Sequence, residues 1–198
     1  MAQDKKRDAI IDAAEKRFSH FGVAKTTMNE IADDLSISKA SLYYYFPDKL
    51  NLYAAVLKKL IEASQANEKI LLNQKDLLKG VYKFLEIRTE TIIKSYNILE
   101  YLKTIGNSFP PELEAVFSSV KLRDITLIAS LITKAAEANN LKIKDPKRIA
   151  ELLLDGLEGL RHAAFSGRSN FFPDKEQFSQ LLQREKELAA IFIKGLTC

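Results

Sequence analysis

Apolar residues recur at helical spacing from one end of the chain to the other, and no segment alternates with the two-residue period of a half-buried strand. That pattern confines the fold to the all-α class, because a helix-period stripe cannot place its apolar residues on one face of a sheet. Seven glycines and five prolines are too few for a turn-rich β protein, which agrees. With 198 residues, 46% of them hydrophobic, the chain can bury a core without covalent staples. The single cysteine, Cys198, excludes an internal disulfide, and two histidines with one cysteine leave too little for a His/Cys zinc site. No GxxxxGK[ST] phosphate loop occurs, so no cofactor is implied. The longest apolar runs, such as Leu188 to Ile193, fall far below membrane-spanning length. Ile10-Ile11 is followed at once by Asp12, without the apolar stretch of a secretory leader, and the expectation is a soluble cytoplasmic protein.

The stripes and their punctuation predict the elements. Ile10, Ala13, Ala14, Phe18 and Phe21 lie along a first helix that ends at Gly22. Thr27 and Glu30 form a T-x-x-E capping box opening a short helix with Ile31, Ala32 and Leu35 on its apolar face. Ser36-Ile37-Ser38 interrupts the pattern, Ser38 caps a second short helix to about Tyr45, and Pro47 stops it. Asp48 caps the next helix (Leu52, Tyr53, Val56, Leu57, Leu60, Ile61). Further helices are predicted at about 75–94, 96–105, 111–138, 146–165 and from about 174 onward, about nine in all.

Two short helices joined by a three-residue break, with a longer one before them, make a helix-turn-helix, whose second helix enters the DNA major groove by its N-terminal end. Residues 1–50 carry eight Lys/Arg and eight Asp/Glu, so the placement of cations matters more than their sum. Lys39, Ser41, Tyr43, Tyr44 and Tyr45 put polar tips on about two turns, while Ile37, Leu42 and Phe46 dock the helix. Three consecutive tyrosines cannot share one core face, and an exposed phenol suits a phosphate oxygen. Lys49, at the start of the following helix, adds a cation to backbone N–H groups that attract phosphate.

Phe18-x-x-Phe21-Gly22, Thr26-Thr27, Ile31-Ala32, the run Ser38 to Pro47 and Lys49 together resemble the DNA-binding domain of the tetracycline-repressor (TetR) family. The remainder is similar in length, helical pattern and a Leu-Asp-Gly-Leu penultimate helix (Leu154 to Leu157). The resemblance implies a homodimeric one-component regulator, with a DNA-binding domain at 1–46 and a ligand-binding and dimerisation domain at 47–198. It implies phosphate contacts from Thr27, Lys39, Tyr43, Tyr45 and Lys49, and approach to base edges by Lys39, Ala40, Ser41 and Tyr44. Ser36 stands where the family usually has Gly, and Tyr45 where His is common. A palindromic double-stranded operator and release by a small molecule are the expected partners and response.

A two-fold dimer needs a self-complementary helix face. The last two helices are the candidates, with Leu153, Gly156, Leu160, Leu181, Leu188 and Phe192 as interface positions and Gly159 beside them. In the middle helices Arg88 and Asp124 break otherwise apolar stripes, so each needs a partner: either they pair, or Arg88 faces a cavity and binds an acidic ligand group. Tyr96 and Tyr101 are further candidate pocket residues. Two rival readings are a helical protein–protein adaptor without DNA affinity and an all-α enzyme. The enzyme reading is weak, because Glu158 and His162 have Glu-x-x-x-His spacing, whereas a di-iron site needs paired Glu-x-x-His motifs.

Overall fold

The computed structural model describes residues 2–64, 70–71, 73–74, 76–105, 110–139, 142–165 and 174–196. The elements in chain order are α1 (Ala2–Phe21), α2 (Met28–Asp34), α3 (Lys39–Tyr45), α4 (Lys49–Ser64), α5 (Leu77–Lys94), α6 (Tyr96–Leu99), α7 (Leu102–Ile105), α8 (Pro111–Ala138), α9 (Pro146–Phe165) and α10 (Lys175–Gly195). No strand occurs among the described residues. None of these helices is long and apolar enough to cross a membrane.

The sequence signals for starts and stops act as expected. Thr27 and Glu30 form a reciprocal capping box, and Ser38 Oγ takes the Ser41 N–H at 3.1 Å. Asp48 and Asp145 take the N–H groups of Asn51 (2.8 Å) and Arg148 (2.9 Å), and Asp174 with Gln177 forms a second capping box. Gly22 ends α1 at φ 81°, where a side chain would be strained. The segment 96–105, expected as one helix, is two. Tyr101 C=O accepts both the N–H (2.9 Å) and the hydroxyl (2.7 Å) of Thr104, which closes a tight turn in place of a continuous α-ladder.

Two compact units result: residues 1–63 with 95–118, and residues 64–94 with 119–198. In the first, α1 packs against α2 and α6, and α2 against α3, around buried Ile10, Phe18, Ile31, Leu42, Leu52, Tyr53, Ile98 and Leu113. Tyr53, fully buried, donates its hydroxyl to Ile98 C=O at 3.0 Å, and Phe18 and Tyr101 each meet its ring edge-on. Asn97 donates to Ser19 C=O at 2.7 Å, so the chain near 97–101 is tied to α1 and α4 by polar as well as apolar contacts. Phe21, expected on the α1 core stripe, is exposed. It is the last residue of its helix, and its ring lies 5.7 Å from the Arg17 guanidinium. Arg17 pairs with Asp34 and with Glu30 (3.4 Å), which joins α1 to α2. In the second unit α5, α8, α9 and α10 enclose Val81, Phe84, Leu85, Ile128, Leu131, Leu153, Leu157 and Ala189, with α10 against α5 and α9.

Ser36 adopts φ 51°, the left-handed conformation. Ile37 N–H reaches back to Ala32 C=O at 3.0 Å, which turns the chain from α2 toward α3. A side chain held there costs about 1 kcal/mol that glycine avoids. Ser36→Gly is therefore expected to raise the thermal unfolding midpoint by a few degrees, and a midpoint at or below the parent value would refute the strain.

Candidate nucleic-acid interface

Helix α3 is held by two anchors, Leu42 and Phe46, both buried. The Arg7 guanidinium stacks 5.1 Å from the Phe46 ring, so α1 also secures the end of α3. With those positions committed inward, Lys39, Ala40, Tyr43 and Tyr44 are exposed, and Ser41 and Tyr45 are half-buried. Tyr44 is 73% exposed, far more than a tyrosine with a core to fill. Lys39 Nζ sits 5.8 Å over the Tyr43 ring, and the rings of Tyr44 and Tyr45 meet edge-on at 5.3 Å. Six of the eight candidate DNA residues thus share one two-turn helix that offers a cation, a hydroxyl and three phenols.

The other two make hydrogen bonds within the protein, Thr27 from an exposed position. The Thr27 hydroxyl donates to Glu30 Oε2 at 2.8 Å and accepts from Glu30 N–H at 3.3 Å. Lys49 opens α4, but its ammonium is turned onto three carbonyls, Val23 (3.0 Å), Ala24 (3.3 Å) and Thr26 (3.1 Å), and lies 5.8 Å over the Tyr101 ring. In this arrangement Lys49 staples the turn after α1 to the start of α4. Its place at a helix start was legible in the sequence, but the carbonyls it binds are brought together only by the fold. Hydrogen bonds to Thr27 hold the Glu30 carboxyl below its ordinary range, and the Arg17 guanidinium does the same for Asp34.

The candidate ligand residues fall in two places. Arg88 and Asp124 pair in the second unit, Nη1 to Oδ2 at 2.8 Å. Tyr101, in the first unit, leans edge-on against Tyr53 at 5.2 Å, and Tyr96 is half-buried in the same unit. Two charged residues on core stripes escaped the sequence reading: Arg161 and Glu185 pair at 2.5 Å. Their signal was available, since each follows a buried leucine, Leu157 or Leu181, by one helical turn.

Among the candidate interface positions, Gly156 is exposed, and Leu160, Leu188 and Phe192 are half-buried. Leu153 and Leu181 are instead buried within the chain itself, and on α9 the inward stripe runs through Ala150, Leu153, Leu154 and Leu157. Among the described residues of these helices the exposed large hydrophobics are Leu152 and Ile191, the latter 72% accessible. Asp155 and Glu158 reach Lys121 at 3.1 and 3.7 Å, and no group able to hold a metal occurs among the described residues.

The model of the family described as "Bacterial regulatory proteins, tetR family" matches residues 10–56, which span the core of α1 through the first half of α4. The HTH-type transcriptional regulator RutR of Escherichia coli (strain K12) is 34% identical over 85 residues, 43% of this chain and 40% of that protein. The chain thus spans less than half the length of that curated relative. The negative transcriptional regulator IcaR of the biofilm operon icaADBC, from Staphylococcus aureus (strain Newman), is 37% identical over 59% of this chain and 72% of its own. A solved transcriptional regulator from Cytophaga hutchinsonii ATCC 33406 superposes with a TM-score of 0.82 at 31% identity, over 96% of this chain and 97% of its own. A capped, doubly anchored reading helix, the matched N-terminal segment and these two broad likenesses lead to one conclusion: this chain belongs to the tetR family of bacterial regulatory proteins.

Proposed function

We propose that the protein is a one-component transcriptional repressor that binds a palindromic operator as a homodimer and leaves it when a small molecule binds. The observation that carries this reading is α3, a two-turn helix anchored by Leu42 and Phe46 and presenting Lys39, Ala40, Tyr43 and Tyr44 outward. Such a helix fits the major groove, where Lys39 and Tyr43 suit phosphates and Ala40, Ser41 and Tyr44 suit base edges. Exposed Leu152, Gly156, Gly159 and Ile191 on α9 and α10 support a self-complementary face, because small residues let two helices approach closely while the apolar ones lose contact with water. Under this reading exposed Thr27 is a further phosphate contact, and Lys49, turned onto three carbonyls, braces the start of α4. The small molecule acts on the larger helical body, and linkage makes its effect on DNA affinity equal to the effect of DNA on its own.

The test is binding of the purified protein to its own upstream intergenic duplex, against a random duplex of equal length, across a salt series. Specific binding is expected to weaken by about 10³-fold or more between 50 and 200 mM salt if each dimer neutralises several phosphates. A dimer-to-duplex stoichiometry supports the two-fold arrangement. Absence of binding at low salt overturns the reading in favour of an adaptor.

A further inference from the structure

The carboxylates of α1 are sorted onto one side of the helix. Asp4, Asp8, Asp12 and Glu15 recur at helical spacing and form a single stripe. That stripe is turned to α4, where Lys59 Nζ takes Asp12 at 2.6 Å and also holds Glu15. Lys6 points the other way. At about 100° per residue it stands roughly half a turn of the helix from Asp4 and Asp8. It shares a face with Arg17, about three turns further on. Arg17 joins α1 to α2 through Asp34 and, at 3.4 Å, Glu30. Lys6 therefore lies on the helix-turn-helix side of α1, with the acidic stripe behind it.

Arg7 fixes where this face sits. It falls on the inward side of α1, one turn before buried Ile10 and Ile11, and its guanidinium stacks 5.1 Å from the ring of Phe46, the C-terminal cap of α3. The start of α1 is thus beside the end of α3. The ring occupies the face of the guanidinium and leaves its N–H edge for an anion. Lys6 and Arg7 are both exposed, and neither side chain makes an ion pair among the described residues. A helix that enters the major groove by its N-terminal end leaves its C-terminal end toward the rim, where the phosphates lie.

We propose that Lys6 and Arg7 form a phosphate clamp on the DNA strand that borders the groove at the C-terminal end of α3. The clamp rests on the DNA-binding reading above and adds a contact outside the base pairs that α3 reads. It explains how a front segment of eight Lys/Arg and eight Asp/Glu presents a cationic surface: the carboxylates of α1 face α4, and Arg17 takes those of α2. A phosphate contact carries no sequence information, so it strengthens operator and random duplex alike.

Fluorescence anisotropy of the full chain on the upstream duplex and on the random duplex, from 50 to 200 mM salt, tests the clamp. Lys6→Gln is expected to weaken both duplexes about tenfold or more at 50 mM salt and to leave their ratio unchanged. Its log–log salt slope should be shallower by about 2 per dimer, since each lost phosphate contact removes about 0.9. Lys6→Gln with Arg7→Gln should lower the slope by about 4, and Lys6→Arg should keep the parental value. Lys142→Gln with Lys144→Gln removes two exposed cations between α8 and α9 and should leave the slope unchanged. A parental slope in Lys6→Gln with intact helical circular dichroism, an altered ratio, an equal loss in the Lys142 and Lys144 control, or a Lys6→Arg slope as shallow as that of Lys6→Gln would overturn the clamp and leave the DNA-binding reading standing. No binding of either duplex by the parent chain at 50 mM salt would overturn that reading and the clamp with it.

Discussion

Asp124→Ala is expected to destabilise the protein by about 3 kcal/mol, the low end for removing one partner of a buried ion pair. Asp124 is buried and holds Arg88 at 2.8 Å, so truncation leaves a cation inside the helical bundle with its nearest counter-charge gone. The low end applies because a third of the Arg88 side chain still reaches water. Urea unfolding followed by circular dichroism measures the change. The informative comparison is Arg88→Met with Asp124→Leu, which removes the pair together and is expected to be neutral or stabilising. Burial holds Asp124 above its ordinary value although arginines surround it, which is what a charge does when desolvation outweighs attraction. If the double variant were as unstable as Asp124→Ala, the pair would be holding the fold, and this expectation would fail.

The second large effect is expected at Phe18→Ala, about 3–5 kcal/mol by analogy with other buried aromatics. Phe18 is fully buried and meets the Tyr53 ring edge-on, and Tyr53 in turn carries the hydrogen bond to Ile98 C=O. Removing the ring opens a cavity beside buried Tyr53, so the first unit should unfold at lower temperature. Phe21→Ala, three residues on at an exposed position, is the control and should change stability by no more than about 0.5 kcal/mol. Differential scanning calorimetry separates the two, and similar losses at both positions would show that α1 is not ordered as described.

The local grammar was legible because it is written in neighbouring residues. Thr27 with Glu30, Ser38 and Asp48 each act on an N–H group three residues away, so sequence spacing alone places these caps. The inward stripes follow for the same reason: of the three docking residues expected for α3, Leu42 and Phe46 are buried and Ile37 is half-buried. Spacing fails where a helix ends or where two faces compete. Phe21 fits the stripe of α1 but sits on its final turn, and Leu153 and Leu152 differ by one residue yet face the core and solvent.

What the sequence determined by itself is an all-helical chain with a capped helix-turn-helix near its start, because those features depend on period and on contacts within a turn. The tertiary structure decided which polar groups meet. Lys49 finds carbonyls at positions 23, 24 and 26, Arg88 finds Asp124 across 36 positions, and Arg161 finds Glu185 across 24. A desolvated charge must take whatever partner the packing brings within about 3 Å, and no sequence period encodes a distance between helices.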